Sequence, residues 1–272
     1  MHRCMLEEGQ RGRCRARICR EGNVVSENYG RISSLALDPI EKKPLNYFYP
    51  GTRILSLGSY GCNLSCRFCQ NHEIAQAGPD RVPFREISPR ELVSMAAAAK
   101  RCGSIGAAFT YNEPMISWEY VRDCSVLLHE EGLKSVLVTN GSADLSVLRQ
   151  LDGLVDAMNI DLKAFRKETY KTYLGGDLDT VKAFISHAAE VCHVELTTLI
   201  VPGMNDSEEE MREICTWIAS LRGGYGRDIP LHISRFFPRY RMTDRPPTDI
   251  ETIYRLCRTA QEYLDYVCPG NV

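Results

Sequence analysis

The sequence predicts an α/β protein in which six β/α units build a parallel sheet, as a twisted open sheet or as a partial (β/α)6 TIM-type barrel. From residue 52 onward, apolar runs alternate with amphipathic helical patterns. The apolar runs are continuous and rich in β-branched residues, which is typical of buried parallel strands. Six units are too few to close an eight-stranded barrel. We therefore expect a partial barrel, preceded by a small N-terminal β-hairpin extension.

The first 50 residues lack the alternating strand and helix pattern of the rest and are predicted to form this extension. The barrel and a C-terminal helix are predicted in residues 51–272. Two short runs within residues 17–29 meet at Glu21-Gly22-Asn23, which indicates a β-hairpin. Residues 32–37 favour another short strand. An extended linker follows, marked by three prolines: Pro39, Pro44 and Pro50.

The elements of the barrel are predicted in order from local signals. Strands are expected at residues 52–57, 105–110, 134–139, 155–161, 193–201 and 231–236. Ser88 and Glu91 form a capping box for a helix that runs to residue 101. Further helices are expected at 115–131, from 144, up to 170, at 177–190 and, capped by Asp206-Ser207, up to 221. A second capping box, Thr248 with Glu251, starts the last helix.

Composition and charge narrow the functional classes. The chain has 272 residues, 44% hydrophobic content and a net charge of −2, so no strong field directs it to nucleic acid or to a membrane surface. Residues 1–20 are basic and polar without an apolar core, which argues against a signal peptide. No apolar run reaches the length of a membrane span. We expect a cytoplasmic protein, in which the twelve cysteines do not serve as disulfides.

The stretch of residues 61–71 carries the strongest chemical signal. Cys62, Cys66 and Cys69 stand at a C-x3-C-x2-C spacing directly after the first barrel strand, and glycines bracket the turn. Three thiolates on one loop can hold three irons of a [4Fe–4S] cluster, which normally takes four cysteines. One iron would remain open to bind another molecule.

Other interpretations of these cysteines compete with the cluster. A structural zinc site needs four protein ligands, and His72 is the nearest candidate for the fourth, although the resulting spacing matches no familiar zinc motif. A disulfide would leave one cysteine unpaired. Three core cysteines would not require flanking glycines or the polar Gln70-Asn71 pair. The spacing therefore favours the cluster.

Polar motifs also follow the other predicted strands. In parallel α/β folds the active site lies at the carboxyl ends of the strands, so these side chains should gather near the cysteines. The candidate cofactor-binding residues at or within these strands are Asn112, Glu113, Asn140, Asp161, Lys163, Thr198 and His232. Each motif alone is weak, and a buried, hydrogen-bonded core histidine is the plain alternative for His232.

The cysteine loop, with Phe68 before its last cysteine, resembles the signature of radical S-adenosylmethionine (SAM) enzymes. The resemblance covers roughly residues 50–245, strand end by strand end. It implies that Cys62, Cys66 and Cys69 ligate a [4Fe–4S] cluster whose open iron binds SAM. In this family the reduced cluster cleaves SAM, and the resulting 5′-deoxyadenosyl radical abstracts hydrogen from a substrate.

The resemblance also implies roles for the strand-end residues. Phe68 would pack near the adenine, and Glu113 would accept hydrogen bonds from the methionyl ammonium. Asp161 and Lys163 would contact the ribose and the methionine carboxylate, and His232 would lie near SAM or the substrate. Asn112 stands in the family's Gly-Gly-Glu stretch. Asn140 and Thr198 are assigned to the same cofactor pocket.

Two branches of the family share features with this chain. Strands 4 to 6, including Val201-Pro202-Gly203, are similar to pyruvate formate-lyase activating enzymes, but the Asp-Gly-Pro-Gly-x-Arg segment of glycyl-radical activases is replaced by residues 48–53. Residues 38–59, Tyr111 to Pro114 and His232 to Phe236 resemble the AmmeMemoRadiSam group instead. That group often has an N-terminal cysteine module, so a second metal site on Cys4, Cys14 and Cys19 is a hypothesis.

The sequence thus predicts a radical SAM enzyme acting on a protein, a peptide or a small molecule. A glycyl-radical activase is the first alternative, and a non-catalytic iron–sulfur or zinc-binding module is the second. The resemblance implies a flavodoxin- or ferredoxin-type electron donor and a possible protein or peptide substrate, with no nucleic acid and no membrane as partners.

Overall fold

Strands and helices alternate along the computed structural model, which describes residues 4–272; the first three residues of the predicted extension lie outside the described part. The strands are β1 (Arg17–Arg20), β2 (Asn23–Ser26), β3 (Arg31–Ile32), β4 (Ser34–Pro39), β5 (Arg53–Gly58), β6 (Arg85–Glu86), β7 (Ser104–Phe109), β8 (Lys134–Thr139), β9 (Ala157–Asp161), β10 (His193–Ile200), β11 (Leu231–Arg235) and β12 (Val267–Gly270). The helices are α1 (His72–Ala75), α2 (Pro89–Ala99), α3 (Trp118–Glu130), α4 (Leu145–Leu148), α5 (Lys167–Thr169), α6 (Leu178–Val191), α7 (Glu208–Gly224) and α8 (Ile250–Gln261).

The main sheet of the described residues has eight strands in the order β12-β11-β10-β9-β8-β7-β5-β4. The strands from β5 to β12 run parallel, and β4 pairs antiparallel with β5 at the edge. The fold is therefore a partial TIM-type barrel that stays open between its two edges, and the α/β prediction is confirmed. The pattern did not predict β12, because this short strand contains Pro269 and Gly270, which are poor strand formers.

Helices cover the outer face of the sheet and enclose the largest apolar core, because residues such as Leu57, Met158 and Ile160 on the strands point outward into it. Ser88 caps α2 as predicted, since its hydroxyl accepts the Glu91 N–H. The predicted cap of the last helix is wrong. Asp249, one residue later than expected, accepts the Glu251 N–H. The Thr248 hydroxyl instead donates to the carbonyl of Ile200 at 2.6 Å.

The predicted boundary at residue 50 falls inside the barrel. Strand β4 runs along β5 from the pair Ser34↔Gly58 to the pair Pro39↔Arg53. The segment of residues 40–50, which the prolines suggested to be a linker, fills the lower interior of the barrel. Its apolar side chains form a separate small core with inward-facing strand residues: Ile40, Leu45 and Phe48 against Ile54, Ala108, Val136 and Ala157.

The N-terminal hairpin is confirmed as β1 paired with β2, with a turn at Glu21-Gly22 in which both residues have positive φ. The region before it, residues 9–16, forms backbone hydrogen bonds to itself and to the hairpin. No helix within residues 4–272 is both long and apolar enough to cross a membrane.

Candidate active site

The three cysteines of the loop after β5 line one cavity of about 380 Å3 at the carboxyl end of the sheet. The loop is folded back on itself: the Leu64 N–H donates to Cys62 Sγ at 3.4 Å, and the Cys69 N–H donates to the Cys66 carbonyl at 3.2 Å. Phe68 is buried and lines the same cavity. The fold thus brings the predicted cysteines and their aromatic neighbour to one wall.

The N-terminal region holds this loop from behind. The Cys62 N–H donates to the Cys14 carbonyl at 3.2 Å. Gly61 adopts φ = +86°, and a Cβ placed on it would lie 2.4 Å from that same carbonyl oxygen and 2.9 Å from the Ala16 Cβ. Only glycine allows both the backbone conformation and this close approach.

Asn112 fastens the base of the loop from the side. Its Oδ1 accepts the Ser59 N–H at 2.9 Å, and its Nδ2 donates to the carbonyls of Tyr60 and Gly61, each at 3.2 Å. The side chain lies in the cavity wall, but its hydrogen-bonding groups face the loop backbone. Asn140 performs a similar task at Cys62, since its Nδ2 donates to Asn63 Oδ1 at 2.9 Å and contacts Cys62 Sγ at 3.6 Å.

Burial controls the ionisation of the three thiols. It raises the pKa of Cys62 well above the ordinary value, with the charge of Glu113 adding to the effect. It raises the pKa of Cys66 to about 12 and also raises the pKa of Cys69. Isolated thiolates are therefore unfavourable here, and a cationic metal group that replaces the protons would relieve the penalty.

The donor set fits an iron–sulfur cluster in its chemistry. It consists of three buried thiols on one loop beside a cavity that is also lined by polar groups. Among residues 4–272, no group of three or more metal-ligating side chains is close enough to hold a single ion. A cubane binds each cysteine through a different iron, so its thiolates need not converge on one point. The hypothesised second site on Cys4, Cys14 and Cys19 likewise forms no such group within this part of the chain.

Glu113 is the most enclosed carboxylate in the cavity wall, with 2% of its surface exposed. Its Oε1 accepts hydrogen bonds from the Met115 N–H at 2.9 Å and the Thr139 hydroxyl at 2.7 Å, and its Oε2 accepts the Asn140 N–H at 2.8 Å. Burial raises the pKa of Glu113, and these three donors oppose the rise. Since a carboxylate offers about four acceptor positions, about one remains for a ligand.

Asp161 and Lys163 form an ion pair at 2.8 Å where β9 ends at the cavity. Burial alone would lower the pKa of Lys163, but the charge and hydrogen bond of Asp161 together with the charge of Cys66 outweigh it, and the pKa is raised. The lysine therefore remains charged. Its side chain is 15% exposed and that of Asp161 is 30% exposed, so both groups can reach a ligand.

Thr198 lies outside the cavity wall, contrary to the prediction. The side chains of a strand alternate between its two faces, and Thr197 and Leu199 occupy the inward positions of β10. The hydroxyl of Thr198 is fully buried on the outer face and donates to the Leu162 carbonyl at 2.9 Å. A one-residue register error in the sequence interpretation explains the difference.

His232 faces inward but lies below the cavity wall. Its Nε2 pairs with Glu195 Oε2 at 2.7 Å, and Glu195 also pairs with His193 and accepts the backbone N–H groups of Asn46 and Tyr47. Burial alone would raise the pKa of Glu195, but these hydrogen bonds lower it to about 2. The alternative of a hydrogen-bonded core histidine therefore describes this environment.

The sequence interpretation did not assign several residues in and beneath the cavity wall to the site. Tyr111 takes a positive φ of 68°, and its hydroxyl donates to Asp38 at 2.7 Å. Asp38 also pairs with the buried Lys43 at 2.8 Å, and Lys42 lines the cavity. The local sequence gives no signal for the positions of Asp38, Lys42 and Lys43, because only the pairing of β4 with β5 brings them to the base of the cavity.

Comparisons with known proteins give a family model and several relatives of this chain. The model of the Radical SAM superfamily matches residues 57–217. An uncharacterized protein of Methanocaldococcus jannaschii is 42% identical over 273 residues, which cover 99% of this chain and 79% of the relative. The pyruvate formate-lyase 1-activating enzyme of Escherichia coli strain K12 is 23% identical over 168 residues, which cover 61% of this chain and 68% of that enzyme.

Two solved structures share the fold. A domain of pyruvate-formate lyase-activating enzyme from Bacteroides vulgatus aligns with a TM-score of 0.51 at 16% identity, covering 60% of this chain and 98% of the domain. SuiB of Streptococcus suis bound to S-adenosylmethionine aligns with a TM-score of 0.61 at 15% identity, covering 80% of this chain and 52% of SuiB. This chain thus corresponds to about half of SuiB.

Proposed function

The chain belongs to the radical SAM superfamily, an enzyme family that uses a [4Fe–4S] cluster and SAM, and on this premise we propose that Cys62, Cys66 and Cys69 hold the cluster and that the cavity beside them binds SAM. When bound and reduced, the cluster supplies the electron that cleaves SAM into methionine and a 5′-deoxyadenosyl radical, which takes hydrogen from a protein, peptide or small-molecule substrate. Family membership favours this enzyme over a non-catalytic iron–sulfur or zinc-binding module.

One observation carries the proposal. The three cysteines, Glu113 and the Asp161–Lys163 pair come from three different strand ends, those of β5, β7 and β9, and line the same cavity. A structural metal site does not require a polar, partly enclosed cavity beside it. An enzyme that binds a zwitterionic cofactor requires the polar lining for binding and the enclosure to exclude water.

The chain's own charged residues suit the methionyl part of SAM. We assign the remaining acceptor position of Glu113 to the ammonium group, because a buried carboxylate favours a charge-assisted hydrogen bond. We assign the ammonium of Lys163 to the carboxylate of SAM and Asp161 to a ribose hydroxyl. Phe68 supplies an apolar wall for the adenine.

Asn112 and Asn140 act in this proposal through the loop. Both side chains hold the cysteine loop by hydrogen bonds, so they position Cys62 and the backbone next to it. His232 is assigned a supporting role with Glu195 beneath the cavity, and Thr198 is not assigned to the cofactor. Cofactor contact therefore falls to fewer side chains than the sequence suggested.

Within the superfamily we propose membership of the AmmeMemoRadiSam group. Residues 38–59, the Tyr-Asn-Glu-Pro stretch from Tyr111 and the His-Ile-Ser-Arg-Phe stretch from His232 support this assignment. The second candidate is a glycyl-radical activase, which the similarity to pyruvate formate-lyase activating enzymes favours. The replacement of the Asp-Gly-Pro-Gly-x-Arg segment by residues 48–53 weighs against the activase.

We also propose a cytoplasmic location and a flavodoxin- or ferredoxin-type protein as the source of the electron. A protein or peptide is proposed as a possible substrate. The proposal includes neither nucleic acid nor a membrane as a partner.

Anaerobic incubation of reconstituted protein with SAM and a chemical reductant tests the proposed function. We expect 5′-deoxyadenosine and methionine in equal amounts, measured by liquid chromatography. Cys66→Ala should lose both the cluster absorbance and SAM cleavage, whereas Cys102→Ala, at an exposed cysteine away from the cavity, should keep both. Cleavage that survives in Cys66→Ala, or wild-type protein that holds four irons per chain but never cleaves SAM, would contradict the proposal.

A further inference from the structure

Exposed positive charge gathers on the outer side of the cysteine loop, away from the cavity. Arg67 lies between the ligand candidates Cys66 and Cys69 and is exposed. Its carbonyl accepts the Arg241 N–H at 2.9 Å, which ties the turn of residues 239–242 to the loop. Next to this turn is a groove of about 680 Å3, lined by Arg15, His72, Arg81, Tyr240 and Arg241 among others. We call this surface the basic groove.

The arginines of the basic groove differ in their partners from many arginines elsewhere in the fold. Five arginines on other elements each form an ion pair with a carboxylate: Arg17, Arg122, Arg166, Arg212 and Arg258. In the described residues 4–272, no ion pair involves the groove cations or Arg67. Glu73 is the acidic side chain that lines the groove, and nearby Asp244 pairs with Arg245 and also feels the charge of Arg67. A chain with a net charge of −2 thus concentrates unpaired positive charge here.

A short path joins the basic groove to the cysteine loop. The His72 ring lies 3.2 Å, through Nδ1, from the Cys69 carbonyl, and it stacks on Tyr240 with 4.5 Å between ring centroids. Both rings are partly exposed in the groove. The groove and the cavity share no lining residue, so a partner bound at the groove leaves the cavity accessible.

We propose that the basic groove is the docking surface for an acidic one-electron donor protein. The inference rests on the proposed function, which consumes one electron that the side chains of this chain do not supply. The donor would lose one electron and the cluster would gain it, with no atom or proton transferred. Unpaired cations on an exposed face attract an acidic partner and raise its association rate. The same cations repel proteins with a basic surface, so they also favour the correct partner.

The test uses reconstituted holoprotein, with an acidic flavodoxin and an acidic ferredoxin as probes. We compare wild type with the groove variant Arg81→Glu/Arg241→Glu and with the control variant Arg101→Glu/Arg149→Glu. Arg101 and Arg149 are exposed and follow α2 and α4 at the opposite end of the barrel, so their substitution changes the net charge by the same four units away from the groove. Affinity is measured by biolayer interferometry at low and high salt. Cluster reduction is followed by anaerobic stopped-flow absorbance, without SAM, with the reduced probe or with photoreduced 5-deazariboflavin as a small neutral donor.

We expect at least one probe to bind wild type with an affinity that falls as salt rises, because the attraction is between exposed charges. The groove variant should lose affinity and donor-dependent reduction by about tenfold, while its reduction by the deazaflavin and all properties of the control variant stay at the wild-type level. These measurements do not involve SAM cleavage, so failure of the proposed function would be seen separately, as absence of 5′-deoxyadenosine with the chemical reductant.

Four results would overturn the inference. The first is that neither probe binds wild type, and the second is that the groove variant binds the probe and is reduced as wild type is. The third is that the control variant loses as much affinity as the groove variant, which would mean that net charge and not position causes the loss. The fourth is that the deazaflavin reduces the groove variant slowly, which would mean that these arginines support the cluster. If transfer RNA binds in an arginine-dependent manner and neither probe binds, the groove is a nucleic-acid site.

Discussion

Replacing Gly61 by alanine tests how the N-terminal region supports the cysteine loop. Gly61 has φ = +86°, in the left-handed region where a Cβ is unfavourable. The new Cβ would also lie 2.4 Å from the carbonyl oxygen of Cys14, which is the acceptor of the Cys62 N–H. The second neighbour of the new Cβ would be the Cβ of the buried Ala16, at 2.9 Å. Neither the backbone oxygen nor this Cβ can rotate away, so the loop and the N-terminal region must move apart.

The loss of unfolding free energy in Gly61→Ala can be estimated from the backbone conformation and the close contact. The left-handed conformation costs a non-glycine residue about 1–2 kcal/mol. Overpacking at a buried contact adds about 1–3 kcal/mol. Their sum, about 2–5 kcal/mol, lowers the unfolding midpoint by roughly 5–15 °C for a chain of this size. Separation of the loop also breaks the hydrogen bond that fixes Cys62, so the iron content after reconstitution should fall.

Gly51→Ala is the matched control. Gly51 has φ = +80°, but no atom lies within 4 Å of the position of its Cβ. The Gly51→Ala variant therefore has only the unfavourable backbone conformation. We expect its unfolding midpoint to fall by a few degrees and its iron content to stay normal. Thermal unfolding followed by circular dichroism and iron analysis compare the two variants. If Gly61→Ala were as stable as Gly51→Ala and bound as much iron, the supporting role of the N-terminal region would be refuted.

Three further predictions concern the polar groups around the cavity. Lys43→Met leaves the carboxylate of Asp38 without its buried partner, so the free energy of unfolding should fall by about 3–5 kcal/mol in urea titration. Lys42→Met removes an exposed partner of the same carboxylate and should cost less than about 1 kcal/mol; equal losses would contradict the assignment. Glu195 has a folded pKa of about 2 against about 4.5 unfolded, so its stabilisation is complete above pH 4.5 and is lost as the pH falls toward 2. The difference in stability between wild type and Glu195→Gln should therefore shrink by about 3 kcal/mol over that range, and a difference independent of pH would count against this network. Asn112→Ala removes an acceptor for one backbone N–H and donors to two carbonyls, so reconstituted protein should hold less than the wild-type iron; full iron content would show that the loop does not depend on this amide.

The alternation of strands and helices could be predicted from the sequence because each element carries its own periodicity. The cysteine loop was equally accessible, since its ligands are close together along the chain. Glu113, Asp161 and Lys163 were found by one rule, that the carboxyl ends of parallel strands meet at one edge. Their confirmed meeting in one cavity is the part of the site that the sequence could supply.

The remaining features depend on contacts between distant segments. Whether Thr197 or Thr198 faces inward depends on the register of β10, and a slip of one residue reverses the answer. The environment of His232 depends on Glu195, on the neighbouring strand, and on the backbone of the 40–50 segment. Strand β4 is an antiparallel edge strand, and its pairing with β5 leaves no local pattern in the sequence.

The segment of residues 40–50 closes the barrel from below, and this position sets how far a substrate can enter. Pro44 lines the cavity and its carbonyl accepts a hydrogen bond from Asn159 at 2.8 Å, while Asn46 and Tyr47 bind Glu195 through their backbone N–H groups. The depth of the chamber is therefore fixed by a stretch that belongs to none of the β/α units. Insertions or deletions there would alter substrate reach while every strand end that carries the chemistry stays in place.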